Sequence, residues 1–330
     1  MISIDKILAF LLLSVVSILL CLEYGTSDLR FSQLLFDGNV FNSAVLQLRW
    51  NRVAVCFLSG GLLAVAGCLS QSLFQNFLAT PTVIGTAAGA SFGAILTYYL
   101  TSTSTIAIVV GSSLGSMTAM ILLFAISWRY SKNSFFIHQL LLTGLALNII
   151  FSALSMMGVS VLMAGEIQTP DILYWLYGDA NAKGTAEIIT GMVIAGILLL
   201  TIFFQHKNMD RLQLGKELAH NLGVPVDKII LLVLLLISLA VGGNMYMTGF
   251  MPFIGLVVPL SIRGFCGNHT LPLSFLSLLM GGTLAILADL ICRTVFGELG
   301  VQLGAITALI GAPIFLLILL KNQARFGFSS

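Results

Sequence analysis

Charge is what this sequence has least of. Asp, Glu, Lys and Arg make up 8% of its 330 residues, against about a quarter in a soluble domain. That scarcity excludes a water-soluble globular fold, and a net charge of +2 gives no footing for a nucleic-acid partner. The five cysteines, Cys21, Cys56, Cys68, Cys266 and Cys292, are scattered without a Cys-x-x-Cys pair. They read as buried apolar thiols rather than a disulfide framework or a metal site. The histidines His138, His206, His220 and His269 are equally dispersed, so no metal site is expected. The phosphate-loop pattern G-x-x-x-x-G-K-[ST] does not occur, so the chain is not expected to hydrolyse ATP itself. No nucleophile–base constellation is visible, so no catalytic residue is assigned. The apolar runs also lack the succession of Asp, Glu and His through which proton-coupled carriers often work.

What is present is hydrophobic sequence, 58% of the chain, in runs long enough to cross a bilayer. Ten candidate spans fall at about 7–22, 53–75, 83–100, 106–127, 135–163, 187–205, 229–249, 252–266, 271–295 and 301–320. The N-terminal run has no small-residue cleavage site and carries both Asp5 and Lys6, which favours a retained first span over a signal peptide. The eighth run is short and holds Pro252 and Pro259. With ten spans and an inside N-terminus, ten Lys and Arg fall inside and five outside, the bias of the positive-inside rule. The 32 glycines suit close helix packing in lipid. A faint inverted repeat is visible. Leu63-Ala64-Val65-Ala66-Gly67 recurs as Leu239-Ala240-Val241-Gly242-Gly243, and each copy is followed by a proline and then Ile-Gly. Two pseudo-symmetric halves are a transporter habit.

Three features outside the spans carry the remaining information. In the inside loop 206–228, Leu214, Leu218 and Leu222 share one helical face, Gly223 suits the residue just past a helix end, and Pro225 follows. This segment either lies on the protein's own membrane face or docks a cytosolic partner. On the outside, Thr169, Pro170 and Gly178 frame a short helix over 170–178 bearing Tyr174, Trp175 and Tyr177. It is either an interfacial anchor or a gate. Arg49 and Arg52 stand at the outer mouth of the second span, the side where positive charge is disfavoured; snorkelling accounts for one or both. Asp289 and Arg293 are four residues apart on the ninth span, where a mutual salt bridge is expected.

Five ordered motifs then identify a family. They are Arg49-Trp50-Asn51-Arg52, similar to R-L-P-R; Gly67 to Pro81, similar to G-x-x-x-Q-x-x-x-x-N-P-L-A-x-P; Leu214 to Val224; Gly249 to Pro259; and Thr307 to Pro313. The chain resembles, from about Arg49 to Lys321, the membrane permease subunits of bacterial ABC importers for iron–siderophore complexes, haem and vitamin B12, the FecCD/BtuC-like permeases. It departs from their pattern at Phe77 and Gln302, where the family has proline, and at Leu260, where it often has histidine.

The resemblance implies an all-α integral membrane protein, a single permease domain over 1–330 with ten transmembrane helices and both termini cytoplasmic. It sits in the bacterial cytoplasmic membrane as a homodimer or a paralogous heterodimer. Two cytosolic ATPase subunits would bind ATP and Mg below it; no cofactor is expected in this chain. A periplasmic or lipid-anchored binding protein would dock above, on Arg49, Arg52 and Arg293. The coupling segment 208–228 would meet the ATPase through Leu214, Gly215, Lys216, Glu217, Leu218, Ala219, Leu222 and Gly223. Asn76 and Leu78 would form the cytoplasmic gate, and Pro170, Trp175 and Gly178 the outer gate. Asn148, Ser152, Thr307 and Gly311 would line the path. The expected cargo is a ferric siderophore, with haem, vitamin B12 or a metal oxyanion as alternatives. A secondary carrier working on an ion gradient is the competing class; it would need an intramembrane acid, for which Asp289 is the strong candidate. A membrane enzyme is disfavoured for want of a catalytic constellation.

Overall fold

The computed structural model describes residues 4–25, 40–82, 84–101, 105–130, 136–164, 178, 180 and 184–321. Among the described residues there are eleven α-helices, one short 3-10 turn and no strand. The helices are α1 (Ile4–Glu23), α2 (Val40–Leu73), α3 (Thr86–Thr101), α4 (Thr105–Tyr130), α5 (Phe136–Ala164), α6 (Thr185–Leu212), α7 (Lys216–Asn221), α8 (Val226–Met247), α9 (Ile254–Cys266), α10 (Thr270–Val295) and α11 (Leu303–Lys321). A helix stands at each of the ten expected spans, and α7 lies in the expected amphipathic segment. Seven of them, α2, α4, α5, α6, α8, α10 and α11, are long and apolar enough to cross a membrane. The ten-span expectation is thus met in helix positions, while the stricter length criterion passes seven. The weak eighth run becomes α9, thirteen residues with Pro259 inside it.

Two boundaries differ from the sequence expectation, and both for the same reason. α2 begins at Val40, well before residue 53, and α6 continues past 205 to Leu212. Polar residues such as Gln47, Arg49 and Asn51, or Lys207 and Asp210, end an apolar run but not a helix, because their backbones still bond in the helical pattern. At 34 residues, α2 is about 51 Å long, against a hydrocarbon core of about 30 Å.

α2 and α8 form the centre. The spanning window of α2 is 83% buried and that of α8 78%, against 17% for α5 and 28% for α11. α2 packs along α10, α8, α9 and α6. It can do so because its glycines let backbones touch. A Cβ on Gly67 would overlap the Gly255 carbonyl of α9, and one on Gly60 would overlap that of Gly281 in α10. Buried hydroxyls then bridge the helices, as expected where lipid offers polar groups no partner. Ser14 of α1 meets Thr283 of α10 at 2.7 Å, Ser116 of α4 donates to the Ser238 carbonyl of α8 at 3.1 Å, and Asn244 of α8 donates to Ser59 of α2 at 2.6 Å.

Gly67→Val should force α9 away from α2 and cost about 3 kcal/mol, the upper range for overpacking, read as a lowered midpoint of thermal unfolding in detergent. Gly196→Ala, where an added Cβ meets nothing, should leave that midpoint unchanged or raise it, since alanine favours the helix by about 1 kcal/mol.

Candidate functional site

Most of the expected functional residues that the structure describes fall at the two ends of the bundle or along a cavity between them. At one end, four side chains converge on the C-terminus of α1. Arg49, only 6% exposed, donates from Nη1 to the carbonyl oxygens of Leu22 at 2.9 Å and Glu23 at 3.2 Å. Arg293 donates from Nη2 to the Cys21 carbonyl. These are the carbonyls that a helix leaves unpaired at its end, and a guanidinium there also meets the negative pole of the helix dipole. Asp289, 2% exposed, lies between Arg52 and Arg293. Arg52 grips it with Nε at 2.9 and 3.0 Å from its two oxygens and Nη2 at 2.7 Å. Nε of Arg293 lies 3.4 Å from the carboxylate, close enough for ion pairing but not aligned for a hydrogen bond. The expected Asp289–Arg293 bridge is therefore present, but the tighter partner is Arg52. Sequence spacing within α10 suggested only the local pair, because Arg52 is 237 residues away.

At the opposite end, α7 is a six-residue helix between two glycines with positive φ, Gly215 at 109° and Gly223 at 78°. Its end is closed as the sequence suggested. Gly223 N donates to the His220 carbonyl at 2.9 Å and Val224 N to the Ala219 carbonyl at 3.0 Å, the paired bonds of a Schellman motif. Ala219 is buried, whereas Leu214, Leu218 and Leu222 are 61%, 57% and 52% exposed. This chain therefore leaves more than half of each leucine uncovered. Lys216 pairs with Asp227 at 3.5 Å, and Glu217 sits in the first turn of α7. An open cavity of about 1370 Å³ lies along residues 214–228.

Beside it runs the turn after α2. Asn76 Oδ1 accepts from the Leu78 amide at 2.9 Å, and the Leu78 side chain is exposed. This turn is tied down by residues that carried no assignment in the sequence. Gln75, at φ 48°, donates to the Leu212 carbonyl at 3.3 Å. Arg263 of α9 donates to Gln71 at 3.3 Å and to Asn268 at 2.9 Å, and stands 5.1 Å from the Phe77 ring centroid. Phe77, one of the departures from the family motif, thus offers Arg263 an aromatic face. A cation in so short an apolar run was the available signal, since such residues are rarely without a partner.

Between the ends, Asn148 and Ser152 of α5 line an open cavity of about 630 Å³, with Thr82, Ser91, Ser155 and Phe250 among its walls. Thr307 and Gly311 of α11 are not among its lining residues. Thr307 is buried and donates to the Gly304 carbonyl at 2.9 Å. Gly311 makes room for Phe253, a non-glycine residue at φ 67°. Gly178, at φ 99°, accepts from the Leu303 amide at 3.0 Å, next to the departure at Gln302. Pro170 and Trp175 lie outside the described residues.

Residues 11–321 match the FecCD transport family. The chain belongs to that family. Among its FecCD relatives, the vitamin B12 import system permease protein BtuC of Vibrio cholerae is 30% identical over 84% of this chain and 83% of its own. The iron(3+)-hydroxamate import system permease protein FhuB of Escherichia coli is 31% identical over 84% of this chain and 41% of its own. In three dimensions the chain is similar to a solved metal-chelate-type ABC transporter in an inward-facing conformation, with a TM-score of 0.84, 24% identity, and coverage of 96% of this chain and 99% of that one. The fold is thus that of an ABC importer permease, and this FecCD chain is a multi-span helical membrane permease. Among the described residues no group of His, Cys, Asp and Glu could hold a metal ion.

In the arginine cluster, Asp289→Asn would strand two guanidinium groups whose countercharge is buried. A loss of about 3 kcal/mol is expected, the scale for breaking a buried pair, read as a lower unfolding midpoint in detergent. Adding Arg52→Gln should recover part of it.

Proposed function

We propose that this FecCD chain is the permease subunit of an ATP-driven importer that carries a ferric siderophore across the bacterial cytoplasmic membrane by alternating access. Two permeases, identical or paralogous, would form the path, with both termini in the cytoplasm and the chain acting as one domain. The observation that carries this reading is α7. A six-residue helix fixed by a Schellman turn presents Leu214, Leu218 and Leu222 outward, and such a face needs a partner to cover it. An ATPase subunit holding ATP and Mg would supply that cover, with Gly215, Lys216, Glu217, Ala219 and Gly223 shaping the contact. The adjacent turn with Asn76 and Leu78 would close the cytoplasmic end, and the segment ending at Gly178, with Pro170 and Trp175, the outer end. Asn148, Ser152, Thr307 and Gly311 would belong to the path.

The arginine end would receive the binding protein. Arg52 is the more accessible of the three arginines, with a side chain 20% exposed, and Arg49 and Arg293 would hold the platform around it. A carboxylate on the partner would compete with Asp289 for the same guanidinium. The secondary-carrier reading is weakened by the same cluster, because its candidate acid is held in a bidentate ion pair. Ferric siderophore is preferred among the cargoes because a ferric chelate is what the FhuB relative imports; haem, vitamin B12 and a metal oxyanion are the alternatives.

The test is uptake into proteoliposomes containing the permease, its ATPase and its binding protein. Uptake of a labelled ferric chelate should require ATP and survive collapse of the proton gradient; the reverse dependence would establish a secondary carrier. Arg52→Gln should cut binding-protein stimulation of ATP hydrolysis by about tenfold, a loss of about 1.4 kcal/mol. Co-purification with the ATPase should persist, and stimulation unchanged by the substitution would leave Arg52 a purely structural partner of Asp289.

A further inference from the structure

The cavity beside α5 carries information about what passes along it. Its thirteen described lining residues include four serines, a threonine and an asparagine, and none of these thirteen is charged. The sequence around it is charge-free on a longer scale: no Asp, Glu, Lys or Arg occurs from Val53 to Trp128, or from Asn133 to Gly165. These stretches include α3 and α5, which supply most of the wall. The hydroxyls of Ser91, Ser155 and Ser160 donate to carbonyls one turn back in their own helices, at 3.0, 2.8 and 3.0 Å. Their donors are spent, and what they turn to the cavity is acceptor character. Asn148 and Ser152 place an amide and a further hydroxyl on the cavity side of α5.

Such a wall is polar enough to wet a cargo, and its described residues offer no charge to neutralise one. A multiply charged anion entering it would leave bulk water without meeting a cation, and burying an unpaired charge costs far more than burying a neutral polar group. A chelate whose ligand charges cancel those of the metal carries no such penalty. Three hydroxamates around ferric iron meet that condition. Three catecholates leave a trianion.

Resting on the importer reading above, we infer that the cargo of this permease is an electroneutral metal chelate of the trihydroxamate type, and that an anionic chelate of the catecholate type is rejected by the path itself.

The probes are a ferric trihydroxamate and a ferric tricatecholate carrying labelled iron, offered to proteoliposomes containing permease, ATPase and binding protein. The neutral complex should enter in an ATP-dependent manner, and the trianion at least about tenfold more slowly. The binding protein selects cargo before the permease does, so substitutions confined to this chain decide the question. Ser152→Lys and Ser152→Asp put opposite charges on the wall, and Ser152→Asn is the neutral control for bulk. For a neutral cargo the two charged variants should slow uptake by similar factors, within about threefold of each other, well under the tenfold that 1.4 kcal/mol represents. Uptake spared by Lys and abolished by Asp would show an anionic cargo and overturn the inference, as would equal wild-type rates for the two chelates. Rates are taken relative to Ser152→Asn, so that charge alone is read, and co-purification with the ATPase reports assembly separately from transport. If wild-type protein with ATP takes up neither chelate, the ferric-siderophore reading falls, and this inference with it.

Discussion

The close approach of α2 to its neighbours is the constraint on which the rest depends. Gly67 and Gly255 bring the backbones of α2 and α9 together with no space for a methyl group, and Gly60 and Gly281 do the same for α2 and α10. In lipid there is no hydrophobic gain from hiding one apolar helix against another; association draws on packing and on scattered hydrogen bonds. Removing side chains from the contact is what makes that packing dense. Along the same α2–α10 seam Arg52 reaches Asp289, and on the α8 side of α2 Ser59 accepts from Asn244.

The arginine cluster shows how a bundle can tolerate charge near its end. Arg49 and Arg293 spend their donors on carbonyls at the end of α1, and Asp289 sets one negative charge among three positive ones. The arginines pin α1 to α2 and α10. A guanidinium carries five donors in a fixed fork, which is why one arginine can hold a carboxylate or several carbonyls at once.

Much of this was legible in the sequence, and the part that was not has a common cause. Hydrophobic runs marked every long helix, and Leu214, Leu218, Leu222 and Gly223 marked α7 together with its stop. The runs could not mark where α2 begins or α6 ends, because helical hydrogen bonding does not stop where hydrophobicity does. Nor could they pair Arg52 with Asp289, or Arg263 with Gln71 and Phe77, since those partners come from distant parts of the chain. Asn148 and Ser152 were placed on the path by the family resemblance, and the cavity lies against them. Thr307 and Gly311, named by the same resemblance, do not line this cavity, and the sequence does not say which face of α11 points where.

The unbroken run of α6 has a mechanical meaning. Its 28 residues form one rod about 42 Å long, and α7 hangs from its end through a link of only three residues. The same end is tethered sideways, by Asp210 to the start of α10 and by Gln75 to the turn after α2. A rod so loaded behaves as a crank: tilting it by about 5° would carry its tip about 4 Å. A push on α7 would therefore arrive, with little slack, at Asn76 and Leu78.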